Sequence, residues 1–142
     1  MNSVVVEART WIGTPYLHQG TVKGAGCDCL GLVRGVWRSR CGTEPQVVPA
    51  YSPDWSEPQG DEVLWRAARR HMRDVTMAPM APGDVVLFRM REGAVAKHMG
   101  ILAQLGENPT FIHAYAGHGV IESPLSAPWM RRIVARFAFL ER

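Results

Sequence analysis

Apolar positions change their spacing partway along the chain, dividing it into a helical first half and a strand-rich second half. Val4, Ala8 and Ile12 recur at i, i+4 and i+8 with Val5 and Trp11 near the same stripe, which predicts a short amphipathic helix over 3–12. Gly13-Thr14-Pro15 stops it. The next stretch, Tyr16 to Gly26, carries Gly20, Gly24 and Gly26 and reads as a loop that turns sharply or lets backbone approach closely. From Cys29 to Arg40 a wide apolar arc through Leu30, Leu32, Val33, Val36 and Trp37 predicts a helix buried on several sides. Gly31 and Gly35 would each weaken an isolated helix by about 1 kcal/mol relative to Ala, so their presence points to a neighbour packed close against it. Arg34, Arg38 and Arg40 lie towards the end that favours cations, and Gly42 is the expected stop.

Residues 43–60 hold Pro45, Pro49, Pro53 and Pro58 with Tyr51 and Trp55, an ordered excursion without regular structure. A helix over 61–73 follows, with Asp61 and Glu62 leading, Arg66, Arg69, Arg70 and Arg73 trailing, and Leu64, Ala68 and Met72 inside. Beyond Pro82-Gly83 the period shortens to that of strands, at 84–90, 98–105, 110–115, 120–123 and 133–140. Helices first and strands later define an α+β class, with N-terminal helices packed on a central antiparallel sheet of about five strands. The expectation is one domain over 1–142, with the Pro-rich excursion and its helix at about 43–80.

Composition narrows the function. The 142 residues are 46% hydrophobic and 20% charged, a globular balance. A net charge of +3 comes almost entirely from arginine, Lys23 and Lys97 being the two lysines, but the cations form no dense block, so nucleic acid is not the expected partner. No apolar run reaches the ~18 residues of a membrane span, and Met1 to Thr10 lacks a signal-peptide core, so membrane insertion and signal-directed export are not expected. Three cysteines are too few and too odd a number for a disulfide framework, which leaves a thiol to explain.

A thiol is a nucleophile as thiolate, and a helix start is a place where backbone N–H groups favour that form. With Asp28 as N-cap, Cys29 falls in the first helical turn, beside donors able to stabilise an oxyanion. Read blandly, it is a small buried hydrophobe. The functional reading needs a base with an orienting partner, and His98 and His113 offer both. If a hairpin pairs Gln104 with Pro109, opposed positions sum to 213. His98 then faces Tyr115, His113 faces Gly100, and the two histidines are diagonal neighbours on one face, roughly 7–8 Å apart at Cα. A slip of one residue in the turn would separate them. A nucleophile on a helix with histidines on the sheet behind it is the layout of papain-like cysteine hydrolases.

Three blocks carry a closer resemblance: Trp11-Ile12-Gly13-Thr14-Pro15-Tyr16, Gly26-Cys27-Asp28-Cys29-Leu30-Gly31-Leu32-Val33, and Pro82-Gly83-Asp84-Val85-Val86-Leu87-Phe88 followed by Lys97-His98-Met99-Gly100-Ile101-Leu102. Together they resemble the NlpC-type cell-wall cysteine peptidases, in particular the branch of phage tails and gene transfer agents. The resemblance implies Cys29 as nucleophile, His98 as base, His113 as its orienting partner, and Tyr16 and Asp28 lining the substrate site. It also implies cleavage of amide bonds in peptidoglycan stem peptides, between γ-D-glutamate and the diamino acid. Synthesis in the cytoplasm and delivery to the periplasmic wall by tail-tip or baseplate proteins would follow.

The chain departs from the pattern at Leu30, Cys27 and His18-Gln19, the last interrupting a glycine pair and placing His18 where it can alter substrate fit. Zinc held by Cys27, Cys29, Cys41 and a histidine has poor geometry, because 12 helical residues put Cys41 ~18 Å from Cys29. No metal or cofactor is expected. Two alternatives remain: a catalytically silent structural tail-tip component, or a thiol amidase or acyltransferase acting on another substrate. Trp55, Trp65 and Trp129 read as core or interface aromatics, His71 as solvated, and His118 as a turn residue near the site.

Overall fold

The computed structural model describes residues 2–48, 51 and 60–140, so Trp55 and three of the four prolines of the excursion lie outside the described residues. Helix α1 (Ser3–Arg9) starts where the Asn2 side chain accepts the Val5 N–H, and it ends three residues before the predicted stop, in tight turns through Trp11 and Ile12. Two short strands, β1 (Thr21–Val22) and β2 (Gly26–Cys27), then form a small hairpin. Helix α2 (Cys29–Arg40) has the predicted bounds, whereas α3 (Val63–His71) is shorter than the 61–73 expected. Glu62 explains the shorter start. Its carboxylate accepts from the Arg89 guanidinium and the Ala96 N–H instead of capping α3, so tertiary bonds take the acid that the dipole argument had assigned to the helix.

The main sheet comprises β3 (Arg73–Asp74), β4 (Val85–Arg89), β5 (Ala96–Gln104), β6 (Thr110–Tyr115), β7 (Gly119–Pro124) and β8 (Ile133–Ala138), in the order β3-β8-β4-β5-β6-β7. Every adjacent pair is antiparallel. The five strands legible in the sequence are thus joined by the two-residue β3, and the α+β class is the one observed. The strands divide their side chains between two faces. Val85, Leu87, Met99, Ile101 and Ile112 pack under the helices, while Val86, Phe88, Leu102 and Phe111 face away and are covered by Leu125 and by Trp129 of the short helix α4 (Ala127–Met130). With both faces covered, the central strands read as near-continuous apolar runs rather than alternating ones.

The two glycines of α2 do what their spacing predicts. A Cβ on Gly31 would stand 1.7 Å from the Gly20 carbonyl oxygen, and one on Gly35 would stand 2.0 Å from the Trp11 ring. Helix α2 is therefore seated directly on the loop that precedes it and on the end of the α1 segment. Among the described residues no helix is long and apolar enough to cross a membrane.

Candidate active site

The loop from Gly13 to Gly26 is tied down before it reaches the helix. The Gly13 N–H donates to the Val120 carbonyl and the Val120 N–H to the Thr14 carbonyl, which fastens the entry segment to the start of β7. Cys27 then donates its N–H to Pro15 and accepts that of Leu17, so Tyr16 is held alongside the residue two before the candidate nucleophile. Asp28 caps α2 through Oδ1, which accepts the Gly31 N–H at 2.8 Å. Its Oδ2 accepts the Gln19 N–H at 2.7 Å and the Tyr51 hydroxyl at 2.5 Å. The carboxylate is only 3% exposed, and its hydrogen bonds serve the loop, the helix and the excursion at once.

This arrangement accounts for the departure at His18-Gln19. Gln19 is the non-glycine residue at positive φ among those described, 64°, the region where glycine sits without strain. Two hydrogen bonds hold it there: its N–H to Asp28, and its side-chain amide to the Tyr51 carbonyl at 2.8 Å. His18 Nε2 also reaches the Tyr51 carbonyl, at 2.9 Å, with the two rings edge to face. Tyr51 is a site residue the sequence did not single out.

Cys29 lies at the first position of α2, buried at 7% exposure, and its thiol donates to the Lys97 carbonyl at 3.7 Å, beyond the last β5–β6 pair at Ile101↔Ile112. Cys29 and His98 line a common cleft of 140 Å³ with Tyr16, His18, Asp28 and Tyr115. His98 Nε2 stands 2.8 Å from His113 Nδ1, and His113 Nε2 stands 2.9 Å from the Ser123 hydroxyl. The sequence thus named six candidate site residues. Five of them (Tyr16, His18, Asp28, Cys29 and His98) line this cleft, and His113 is bonded behind His98.

The hairpin that aligns the histidines differs from the one expected at its turn. Gln104 pairs with Thr110, not with Pro109, but an irregularity between Leu102 and Gln104 returns the inner pairs Leu102↔Phe111 and Ile101↔Ile112 to a sum of 213. The slip and the bulge cancel, so both histidines stay on one face.

Aromatic rings enclose that face. Trp129 lies 5.7 Å from the His98 ring, 5.3 Å from that of His113 and 5.8 Å from that of Tyr115, while Phe88 and Phe111 pack on the other sides. Trp129 is a core aromatic, and the core it joins is the one that shelters the histidine pair. His118 stacks on Tyr115 from the turn, and His71 bonds Gln46 at 2.5 Å.

Burial sets the resting charges. It pushes the Cys29 thiol up to about 12, with Asp28 adding to the effect, although the N–H groups of Met99, Leu30 and Cys29 favour the thiolate. His98 is pushed down to about 3 by burial and by His113, and His113 down to about 4, chiefly by burial. The helix start alone does not ionise Cys29, because desolvation outweighs it. The resting pair is a neutral thiol and a neutral imidazole. Cys27 and Cys41 are buried thiols outside any disulfide, and Tyr16 is raised to about 12 by burial and by Cys29, which keeps its phenol a donor. Among the described residues no group of histidines, cysteines and carboxylates is placed to hold a metal ion.

A thiol at a helix start, sharing a cleft with a histidine that is bonded to a second histidine, brings together the groups that nucleophilic thiol chemistry requires. The chain belongs to the NlpC/P60 family, whose profile matches residues 13–138. It is 32% identical over 128 residues to the gamma-DL-glutamyl hydrolase of Bacillus subtilis, covering 90% of this chain and 26% of that protein. It is 30% identical over 122 residues to the murein DD-endopeptidase MepS/murein LD-carboxypeptidase of Escherichia coli, covering 86% and 53%. The chain therefore spans between a quarter and about half the length of these two relatives. Among solved structures, the NlpC/p60 domain of the peptidoglycan hydrolase SagA superposes with a TM-score of 0.63 at 22% identity, covering 98% of this chain and all of that one. A family protein from Bacillus cereus gives 0.65 at 22% identity, covering 96% and 39%.

Proposed function

We propose that the protein is a cysteine peptidase that hydrolyses amide bonds in peptidoglycan stem peptides. The observation that carries this reading is Cys29 at the start of α2, sharing a cleft with a histidine whose far nitrogen is bonded to a second histidine. With Nε2 engaged by His113, Nδ1 of His98 is the nitrogen left to take the thiol proton. The thiolate adds to the scissile carbonyl carbon as the proton moves to His98. Asp28 holds the Gly31 N–H by its side chain and the Leu32 N–H by its carbonyl. The Cys29 and Leu30 N–H groups, which already favour the thiolate, are then the first-turn donors for the oxyanion. The imidazolium returns its proton to the departing amine, and water, deprotonated by His98, releases the acyl group from sulfur.

Burial makes the separated ions costly, so the proton transfers only as charge develops on substrate, and the thiol stays in its inert form at rest. Tyr16, His18 and Asp28 line the cleft, and the Asp28 carboxylate gives it a negative charge that suits the free amine of a stem peptide. The murein DD-endopeptidase among the relatives supports wall peptides as the substrate class, and the gamma-DL-glutamyl hydrolase supports a γ-glutamyl bond as the cleavage point. Delivery to the periplasmic wall by a phage-tail-like or gene transfer agent particle is part of the proposal and rests on the sequence resemblance to that branch.

Digestion of purified peptidoglycan with the wild type and with Cys29→Ala, read as new peptide termini by mass spectrometry, tests the reading. New termini at the γ-D-glutamyl bond from the wild type alone support it. Equal products from both proteins overturn the assignment of Cys29 as nucleophile, and none from either overturns the peptidase reading in favour of a silent structural role.

A further inference from the structure

The relay does not end at His113. Strands β6 and β7 pair in the register Phe111↔Ser123 and His113↔Ile121, which makes Ser123 a diagonal neighbour of His113 on the same sheet face. On the other side His98 is likewise diagonal to His113. The three side chains form one slanted row across β5, β6 and β7, linked by contacts of 2.8 and 2.9 Å. His113 is wholly buried, with both ring nitrogens committed, one to each neighbour.

Proton counting gives that row a direction. Each contact between nitrogens, or between nitrogen and hydroxyl, needs one proton and one lone pair. If His113 carries its proton on Nε2 and donates to Ser123, its Nδ1 must accept from His98 Nε2, and Nδ1 of His98 is left bare to act as base. If Ser123 donates instead, the order reverses: His113 is protonated on Nδ1, His98 on Nδ1, and no base faces the thiol. A turn of the His113 ring about its Cβ–Cγ bond would break the row altogether.

We infer that Ser123 is a positioning residue for the proposed hydrolysis, accepting the His113 Nε2–H and holding the ring with Nδ1 turned to His98. This rests on the peptidase reading for its kinetic consequence but not for its structural one. Ser123 is partly exposed, so its own proton has solvent to donate to while its lone pair serves His113.

The test combines Ser123→Ala and Ser123→Thr with nitrogen-15 NMR of the histidine rings, in the absence of substrate, and with stem-peptide hydrolysis. In the wild type, His98 and His113 are expected to be protonated at Nε2 and bare at Nδ1. Ser123→Ala is expected to give mixed tautomers and to lower kcat by roughly ten- to a hundredfold with KM within about twofold, short of the ~10⁴-fold loss of a triad locked in the wrong tautomer. Ser123→Thr, which keeps the hydroxyl, restores both. A wild-type spectrum with His113 protonated at Nδ1 overturns the inference, and so does a Ser123→Ala protein with unchanged tautomers and kcat. If the wild type cleaves no wall peptide, the peptidase reading fails while the NMR arm still decides the role of Ser123.

Discussion

Asp28 can be separated into two roles by substitutions that differ by a few atoms. As an N-cap alone it is replaceable by Asn at little cost, because the two rank together, while Ala loses about 1 kcal/mol. The structure gives it more to do: Oδ1 holds the Gly31 N–H, and Oδ2 holds the Gln19 N–H and the Tyr51 hydroxyl, all within a carboxylate shielded from water. In Asp28→Asn the amide oxygen keeps the cap, but the NH₂ replaces Oδ2 and confronts the Gln19 N–H. The Tyr51 hydroxyl can turn and accept, so one charge-assisted bond is lost and the part-buried Gln19 N–H is left without its partner, for about 1–3 kcal/mol. Asp28→Ala loses the cap as well and strands both partners, for about 3–5 kcal/mol. Urea unfolding followed by tryptophan fluorescence measures both. The same charge raises the Cys29 thiol, so alkylation of Cys29 in Asp28→Asn is expected to rise at lower pH than in the wild type. An Asp28→Asn protein within about 0.5 kcal/mol of wild type would refute the anchoring argument and leave a cap only.

Other consequences follow from the same geometry. Because Gly31 abuts the Gly20 carbonyl, Gly31→Ala is expected to cost about 1–3 kcal/mol in urea unfolding despite its better helix propensity, and to displace the loop that carries Tyr16 and His18; a gain in stability would contradict the packing. His98 and His113 are held neutral with pKa values of about 3 and about 4, against 6.5 in the unfolded chain, so the unfolded state binds protons that the native state refuses between those limits. The stability they contribute is full above pH 6.5 and declines as pH falls towards 4, with a slope of up to about 1.4 kcal/mol per pH unit for each histidine. A His113→Gln protein should show a shallower acid decline, and equal slopes would refute the assignment. Truncation of Trp129 to Ala admits water to the histidine pair, so the acid limb of the hydrolysis rate is expected to move to higher pH; an unmoved limb means the indole shields nothing.

What the sequence made legible was whatever local period or local chemistry encodes. Helix α2 announced itself through its apolar arc, its N-cap and its paired glycines, and each has the partner its spacing required. The residues whose part in the site the sequence did not show, Tyr51, Ser123 and Trp129, meet it from elements whose own pattern says nothing of it: a Pro-rich excursion, the far strand of the sheet, and a four-residue helix. No period marks them because a single side chain crossing from a neighbouring element leaves no repeat. The hairpin is the instructive case. Pairing Gln104 with Pro109 was the wrong turn, yet it placed the histidines on the right face, since the bulge after Leu102 removes the one-residue offset that the true turn introduces. Burial of Ile101 and Ile112 on one face and of Leu102 and Phe111 on the other forces that compensation, because an uncorrected slip would turn the two on one strand the wrong way. The register of the histidine pair is thus enforced by the apolar residues beside it, and a substitution that relaxed the bulge would be expected to unmake the relay before it unmade the sheet.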